Sequence, residues 1–238
     1  MSDVSFTVEK GLVTALIGPN GAGKSTLINC ISAVDTVQEG RILLDGVRVE
    51  TLPAHEVAAL GVARTFQNLK IFPRLSVLDN VLSGLTLEAE CSFFLSMLRL
   101  PALRHRERQM RLKTLEILDR FDLAHKAGWP GGALSYGEKK RMEMARAFVS
   151  EPRLVLLDEP VAGLNAEETA RIAHHIRRQR SAGHTMLLVE HDMELVMDVA
   201  DRVVVLDSGR CIAVGKPHEV QRNPLVLEAY LGRMEATA

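Results

Sequence analysis

The sequence has few cysteines, and their arrangement excludes one kind of site. Cys30, Cys91 and Cys211 lie far apart and form no Cys-x-x-Cys pair. That pattern argues against a structural zinc site and favours a reducing, cytosolic compartment. The sequence also lacks internal repeats and low-complexity tracts. Its 238 residues are therefore enough for one large domain or a compact two-lobed one with a substantial core.

The sequence also lacks a strong net charge, a signal peptide and a long apolar run. A formal net charge of -1 argues against nucleic-acid binding as the main function. The N-terminus carries Asp3 and Glu9 where a signal peptide would have basic and then apolar residues. The most lipid-like run, residues 91–103, is broken by Arg99 and Pro101 and is too short to span a bilayer. We therefore expect a soluble chain, with any membrane role coming through a partner.

The strongest motif is a glycine-rich stretch that follows the apolar run 12–17. Its members are Gly18, Pro19, Asn20, Gly21, Ala22, Gly23, Lys24, Ser25 and Thr26. A buried strand, a glycine-rich turn and a helix start match the P-loop pattern Gly-x4-Gly-Lys-Ser/Thr. Glycines let successive N–H groups point at phosphate oxygens, and the helix adds its positive end. Lys24 would then supply a cation for the outer phosphates and Ser25 a hydroxyl for Mg²⁺. An ordinary glycine turn would not need three glycines followed by Lys-Ser-Thr.

Strand-like and helix-like segments alternate along the chain, which predicts an α/β fold. Residues 4–8 alternate apolar and polar side chains and predict a half-exposed strand. Turn residues at 45–46 and 207–210 predict two hairpins. Residues 62–67 predict a strand that ends in Gln67. Residues 69–122 are rich in Leu, Met, Arg and Glu without strand-like alternation, and they predict a helical subdomain.

Two carboxylates follow another apolar strand, residues 153–157. Asp158 at the C-terminal end of that strand could hold Mg²⁺, usually through water, and Glu159 could orient and polarise an attacking water. A polar loop after a strand is common by itself. The P-loop in the same chain makes the catalytic interpretation the better one.

Ser135 and Gly137 lie at the start of a predicted helix and form a candidate anion site. Ser135 and Glu138 form a capping box, which is a structural role by itself. Glycine in the first turn costs roughly 1 kcal/mol relative to alanine, so Gly137 favours the close approach of another group to the backbone. A helix N-terminus with a serine hydroxyl and a bare glycine suits an anion.

Two more polar side chains follow predicted strands. His191 lies just past the buried strand 185–189, where open α/β sheets bind their ligands, and could donate a hydrogen bond to a terminal phosphate. Gln67 has a parallel position after its own strand and could ligate Mg²⁺ or the attacking water. A lone histidine usually has no such role, and the sequence contains seven others.

These motifs occur in the order seen in ATP-binding-cassette (ABC) ATPases, and the resemblance covers essentially the whole chain. The amino-acid sequences of five segments resemble those of the ATPase subunits of branched-chain amino-acid importers. Those segments are residues 64–67, 134–138, 162–165, 189–193 and 228–232. The ATPases of urea or amide uptake and of lipopolysaccharide export share part of these motifs and are alternative assignments. Tyr136 and Glu138 depart from the commonest ABC pattern, although tyrosine is frequent in the branched-chain group.

The resemblance implies an α/β P-loop NTPase fold of ABC ATPase type, with an antiparallel β-subdomain and an inserted helical subdomain. It assigns residues 1–67 and 150–215 to the nucleotide-binding core with the β-subdomain, residues 68–149 to the helical subdomain with the signature motif, and residues 216–238 to a C-terminal helical tail. In the family, a first strand and an adenine-stacking aromatic lie in a segment that would fall before Met1. Unless the true start lies upstream, we expect weak ATP binding, because stacking on an aromatic contributes about 1–3 kcal/mol in nucleic-acid systems.

The resemblance also implies the role of each candidate residue in binding ATP and Mg²⁺. Asp158 would hold Mg²⁺ together with Ser25 and Gln67. Glu159 would act on the attacking water, and His191 would contact the γ-phosphate.

The partners follow from the resemblance as well. Two ATPase protomers, identical or related, would pair head to tail, with ATP between the P-loop of one and Ser135 and Gly137 of the other. Asn165 would lie in the loop that crosses this interface. The helical subdomain, hinged at Gln67, would receive the cytoplasmic helices of two permease subunits. A periplasmic or lipid-anchored solute-binding protein would complete the system at the bacterial inner membrane, with this chain on its cytoplasmic face.

Two other classes of function fit the sequence less well. A stand-alone ABC ATPase acting on DNA, ribosomes or cluster assembly usually has two cassettes, a long coiled coil or a basic face, and the sequence has none of these. A non-hydrolysing assembly module is disfavoured because Lys24, Asp158, Glu159 and His191 are all present.

Overall fold

The computed structural model describes residue 1, residues 4–85 and residues 101–231, and the side chains of all of these except 101–104 and 231. The strands in this part of the chain are β1 (Val13–Ile17), β2 (Leu43–Leu44), β3 (Val47–Arg48), β4 (Val62–Arg64), β5 (Leu154–Asp158), β6 (Met186–Val189), β7 (Arg202–Asp207) and β8 (Arg210–Gly215). The α-helices are α1 (Lys24–Ile31), α2 (Ala54–Ala59), α3 (Val77–Leu82), α4 (Pro101–Arg120), α5 (Tyr136–Phe148), α6 (Ala166–Ser181), α7 (Met193–Val199), α8 (Pro217–Val220) and α9 (Pro224–Leu231).

Six of the strands form one sheet in the order β4-β5-β6-β1-β7-β8. The first five run parallel, and β8 pairs antiparallel with β7. Every residue of β1, β5 and β6 is buried, as expected for parallel strands covered on both faces. Leu157 packs in one core with Phe148 and Ile176, whereas Leu156 packs in another with Ile28 of α1. The sheet therefore separates two apolar layers.

Both predicted hairpins are present. Asp45 and Gly46 connect β2 and β3 with φ of 48° and 84°, and Ser208 and Gly209 connect β7 and β8 with φ of 47° and 78°. Two consecutive residues with positive φ are what a two-residue turn of type I′ requires, and its twist matches that of the strands. The C-terminal tail contains two helices, because α8 ends at Val220 and α9 begins at Pro224.

The strand predicted over residues 4–8 is wrong. Val4, Phe6 and Val8 do pack against the core beside α1, and the residues between them are exposed, so the alternation records one-sided burial. Among the described residues, however, no strand pairs with this segment, and a β-ladder needs a partner. The strand predicted over 62–67 is shorter than expected. β4 ends at Arg64, and Gln67 lies in the loop beyond it.

The stretch predicted to be helical, residues 69–122, contains α3 and α4 and, in its described residues, no strand. Residues 86–100 of that prediction lie outside the described part of the chain, as do residues 232–238 of the predicted tail. Helices α3, α4 and α5 enclose one core with Val81, Leu118 and Phe148 at its centre. In the part of the chain that is described, no helix has both the length and the apolar character needed to cross a bilayer.

His175, on α6, is a buried ring in this core. It is 1% exposed, its centroid lies 5.1 Å from that of Phe121, and neither ring nitrogen makes a hydrogen bond. Burial lowers the pKa of His175 to about 4, and the Asp122 carboxylate, 3.4 Å away, only partly opposes this effect. The neutral ring is therefore the form that the fold accepts.

We expect His175→Phe to reduce the acid sensitivity of the fold. Histidine in the unfolded chain has a pKa near 6.5, so between about pH 6.5 and pH 4 the unfolded chain binds a proton at this position and the folded chain does not. The free energy of unfolding therefore falls as the pH drops from about 6.5 towards 4. Between pH 7.5 and pH 5 the loss due to this ring is about 2 kcal/mol. Urea unfolding at both pH values measures it. His174→Phe, at the exposed neighbouring position, is the matched control, and an unaltered pH dependence in His175→Phe would assign the effect to other groups.

Candidate functional site

Four neighbouring parallel strands end at one edge of the sheet, and a predicted site residue follows each of them. β4, β5, β6 and β1 lie side by side and lead to Gln67, Glu159, His191 and the P-loop in that order. Ligands of open α/β sheets bind outside the carboxyl ends of the strands. The sequence predicted that each of these residues follows a strand. The strand order then brings them to neighbouring positions at one edge of the sheet.

The P-loop has the conformation that an anion site requires. Gly21 and Gly23 adopt φ of 81° and 103°, and α1 has Gly23 as its N-cap, without a side-chain cap and without an acidic residue in its first turn. The Lys24 ammonium donates to the carbonyls of Gly18 and Pro19, at 2.6 and 3.1 Å, and so folds back over the loop. An uncapped helix start beside a lysine fits a phosphate group.

Asp158, at the end of β5, is buried and paired with a cation. Its Oδ2 accepts a hydrogen bond from Arg64 Nη2 at 2.9 Å. The other terminal nitrogen of Arg64 donates to Asn29 and Ser32 at the end of α1, at 2.8 and 2.9 Å. Arg64 therefore joins the proposed metal-binding strand to the helix of the P-loop, a contact that the sequence analysis did not predict.

Glu159 and Gln67 meet although 92 positions separate them in the chain. The Gln67 amide donates to Glu159 Oε2 at 2.8 Å. Glu159 itself has a left-handed backbone with φ of 48°. For a residue other than glycine this costs about 1–3 kcal/mol, and such strain is concentrated at functional sites. The structure thus places the predicted catalytic carboxylate and the predicted hinge glutamine in direct contact.

A lysine that the sequence analysis missed lies behind this pair. Lys140 of α5 is 2% exposed, and its ammonium donates to the carbonyls of Gln67 and Glu159 at 3.4 and 3.3 Å. The sequence did carry a signal for it. Lys140, Met144 and Phe148 recur with helical spacing on the buried face of α5, so a charge at the first of these positions had to have buried partners.

Glu143, one turn further along α5, binds the backbone of the loop that contains Gln67. Its Oε1 accepts from the backbone N–H groups of Phe66 and Lys70, both at 3.4 Å, and Arg146 lies 3.6 Å away. Burial raises the pKa of Glu143. The two ends of the loop around Gln67 are therefore held by α5.

His191 follows β6 and is exposed at the edge of the sheet, with 62% of its side chain accessible. Its position is set by Glu190, which is fully buried. Glu190 accepts from the N–H groups of Val161 and His191 at 3.1 Å and from that of Asp192 at 3.4 Å. Burial raises the pKa of Glu190. Glu190 thus ties the segment after Glu159 to the backbone that presents His191.

Ser135 and Gly137 lie at the start of α5, and the predicted capping box is present. The Ser135 hydroxyl accepts from the Glu138 N–H at 3.3 Å, and the Glu138 carboxylate accepts from the Ser135 N–H at 3.0 Å. A group does approach Gly137 closely, as its place in the first turn predicted. That group is a side chain of the same protein, because a Cβ at Gly137 would lie 2.6 Å from Glu168 Oε1.

The segment before α6 packs against the start of α5. A Cβ at Gly163 would lie 3.3 Å from the ring of Tyr136. Glu168 also closes a capping box with Asn165, in which each accepts from the backbone N–H of the other. Glu168 thus touches both the predicted interface loop and the predicted anion site.

An apolar groove of about 480 Å³ lies beside β4 and α5. Its lining includes Phe66, Phe72, Lys70, Gly84, Arg146 and Ala147. Phe66 and Phe72 are 38% and 51% exposed. The groove therefore borders the same loop that carries Gln67.

No group of three or more His, Cys, Asp or Glu side chains able to hold a metal occurs within the described residues. A divalent cation at this edge would need oxygen ligands of other kinds as well. Hydroxyl, amide and phosphate oxygens are the hard ligands that Mg²⁺ accepts, so Ser25, Gln67 and Asp158 fit it only together with a bound phosphate.

Comparison with known proteins finds relatives over nearly the whole chain. The family model described as "ABC transporter" matches residues 1–162, and that described as "Branched-chain amino acid ATP-binding cassette transporter" matches residues 210–236. The chain is 39% identical over 233 residues to the high-affinity branched-chain amino acid transport ATP-binding protein BraF of Pseudomonas aeruginosa, covering 98% of this chain and 91% of that protein. It is 33% identical over 232 residues to the lipopolysaccharide export system ATP-binding protein LptB of Haemophilus influenzae, covering 98% and 90%.

Solved structures share the fold. The ADP conformation of MJ1267, an ATP-binding cassette of an ABC transporter, superposes with a TM-score of 0.82 at 32% identity, covering 96% of this chain and 91% of that one. A dimeric, post-hydrolysis structure of the cassette MJ0796 with ADP and phosphate has a TM-score of 0.74 at 24% identity, covering 89% and 88%. The fold class predicted from the sequence is therefore confirmed.

Proposed function

Since the chain belongs to the ABC transporter family and is an ATPase of it, we propose that it powers the import of branched-chain amino acids. The observation that carries this choice is the match of residues 210–236 to the branched-chain cassette model, because this segment lies outside the nucleotide-binding motifs. The lipopolysaccharide-export relative is less similar, at 33% identity against 39%.

We assign phosphate binding to the P-loop. The uncapped N–H groups at the start of α1 would bind the phosphates of ATP, and Lys24 would exchange its carbonyl contacts for phosphate oxygens. Ser25, Gln67 and Asp158 would hold Mg²⁺, which supplies positive charge against the phosphates. Arg64 would keep the Asp158 carboxylate oriented.

Glu159 is the proposed base, and Gln67 and His191 are the proposed contacts at the outer phosphate. Glu159 accepts a hydrogen bond from the Gln67 amide at the end of β5, so a water bound beside this pair would be oriented by both side chains. His191 is accessible at the end of the next strand and can donate a hydrogen bond. These positions support the proposal that the attacking water and the γ-phosphate meet at this edge of the sheet.

ATP-binding subunits of this family dimerise and work with membrane components. We propose that Ser135 and Gly137 of one protomer complete the site on the P-loop of a second protomer, either identical or related in sequence. We further propose that the apolar groove beside Gln67 takes a cytoplasmic helix of a permease, since Phe66 and Phe72 are exposed there. The chain would then lie at the cytoplasmic face of the inner membrane and serve two permease subunits and a solute-binding protein.

Uptake measurements test this function. Host cells that lack the chain should lose uptake of labelled leucine, isoleucine or valine at micromolar concentration and should keep uptake of urea. The wild-type chain should restore leucine uptake, whereas Glu159→Gln should not. Normal leucine uptake in the deleted cells, together with a defect in urea uptake or in lipopolysaccharide export, would assign the chain to one of the alternative systems.

A further inference from the structure

Lys140 occupies an unusual position for a lysine, because its ammonium is buried at the centre of the proposed catalytic machinery. It donates to the carbonyls of Gln67 and Glu159 at 3.4 and 3.3 Å, and it lies 5.9 Å from the centroid of the Tyr136 ring. The side chain therefore starts on the helix of the predicted anion site and reaches two other catalytic segments.

The surroundings of Lys140 explain why a charge is tolerated there. Burial lowers the pKa of Lys140, and the charges of Glu143, Glu190, Glu159 and Asp158 oppose that effect. A buried ammonium is stable only where anions and hydrogen-bond acceptors replace its water. An apolar side chain could fill the same space but would make neither of the two carbonyl contacts.

The carbonyl contact with Glu159 bears on the strained backbone of that residue. Glu159 has a φ of 48°, and its carboxylate direction depends on this conformation. A charge-assisted hydrogen bond to the Glu159 carbonyl opposes relaxation of the backbone towards an ordinary conformation. The same ammonium donates to the backbone carbonyl of Gln67. The side-chain amide of Gln67 in turn donates to the Glu159 carboxylate.

We propose that Lys140 is a positioning residue for ATP hydrolysis, which holds the Gln67 loop, Glu159 and the helix α5 as one unit. The inference rests on the proposed function. Glu143 accepts hydrogen bonds from the N–H groups of Phe66 and Lys70 in the same loop. Lys140 and Glu143 together would therefore make α5 move with the loop that borders the apolar groove. A partner helix in the groove would in this way act on the direction of the Glu159 carboxylate.

Steady-state ATPase kinetics of Lys140→Met test the proposal. Two charge-assisted contacts to the catalytic segments are lost, so kcat should fall about tenfold while KM for ATP stays within about twofold of wild type. The matched control is Lys139→Met, one position earlier on α5, which should leave both constants unchanged. If Lys140→Met does not fold, as judged by thermal unfolding, Lys140→Gln serves the same purpose because its shorter side chain cannot reach both carbonyls.

A double-variant cycle with Gln67→Ala separates positioning from a general loss of stability. If both residues act through the direction of Glu159, the double variant should be no more than about threefold slower than the slower single variant. Independent contributions would multiply instead, and that result would overturn the proposal. A folded Lys140 variant with wild-type kcat, or one altered only in KM, would overturn it as well. A wild-type chain without ATPase activity would instead refute the proposed function.

Discussion

Glu159→Gln is expected to lower the rate of ATP hydrolysis by about 100- to 10,000-fold, the usual contribution of a general base. The Glu159 carboxylate is at the end of β5, next to the buried Asp158, and it accepts the Gln67 amide at 2.8 Å. Glutamine keeps the size of the side chain and one acceptor oxygen, but it has no charge and cannot take a proton from water. Folding and the Gln67 contact should survive, while the chemical step is lost.

ATP binding should survive the same substitution. Most of the contacts proposed for the phosphates come from the P-loop and the start of α1, which follow β1, whereas Glu159 follows β5. Removal of a negative charge near the phosphates would favour binding rather than weaken it. Glu159→Gln should therefore accumulate as an ATP-bound dimer, whereas the wild-type dimer should separate after hydrolysis. Size-exclusion chromatography with ATP and a phosphate-release assay measure the two properties.

Glu167→Gln is the matched control, since Glu167 is an exposed carboxylate on α6 that pairs with Arg171 on the same helix. Surface ion pairs of this kind contribute about 0–1 kcal/mol, so turnover should stay at the wild-type level. If Glu159→Gln retained more than about a tenth of the wild-type turnover, the base would have to be another group at this edge.

The local patterns of the sequence predicted the fold well where one element determines its own structure. The type I′ turns at Asp45-Gly46 and Ser208-Gly209 follow from residues that tolerate positive φ. The segment from Val4 to Val8 shows the opposite case, because alternation reports burial on one side and carries no information about a partner strand. Pairing depends on residues distant in the chain, which a local pattern does not contain.

The same distinction applies to the site. The P-loop, Asp158-Glu159 and Ser135 each follow from a local motif, and the strand order then brings the first two together. Arg64 was not assigned to Asp158 because 94 positions separate them. Lys140 was missed although its place on the buried face of α5 was readable. A buried charge predicts partners, but only the fold identifies them as the carbonyls of Gln67 and Glu159.

The second large effect is expected at Gly137. Gly137→Ala should lower ATP turnover about 100-fold, as expected when a catalytic segment is displaced by about 1 Å. Alanine itself suits a helix better than glycine by about 1 kcal/mol, so the substitution is not unfavourable for α5 alone. The conflict comes from Glu168, since the new Cβ would lie 2.6 Å from its Oε1 and 2.9 Å from its Cδ.

Glu168 cannot move aside without consequence. Its other carboxylate oxygen accepts from the Asn165 N–H at 3.3 Å, and its own N–H donates to the Asn165 side chain at 2.9 Å. Rotation of the carboxylate would open this capping box, which contributes about 0.5–2 kcal/mol to the start of α6. Gly137→Ala would therefore shift both the predicted anion site and the predicted interface loop around Asn165.

The double variant Gly137→Ala/Glu168→Ala distinguishes two reasons for the glycine. If the clash with Glu168 is the cause, removing that carboxylate should restore at least about a tenth of the wild-type turnover, and Gly137→Ala/Glu167→Ala should restore none. If the glycine is needed because a phosphate of the partner-bound ATP approaches its backbone directly, the double variant should stay as slow as Gly137→Ala. Phosphate-release kinetics of the wild type, Gly137→Ala and the two double variants measure these outcomes. They show whether glycine is needed at position 137 because of Glu168 in the same protomer or because of the nucleotide at the dimer interface.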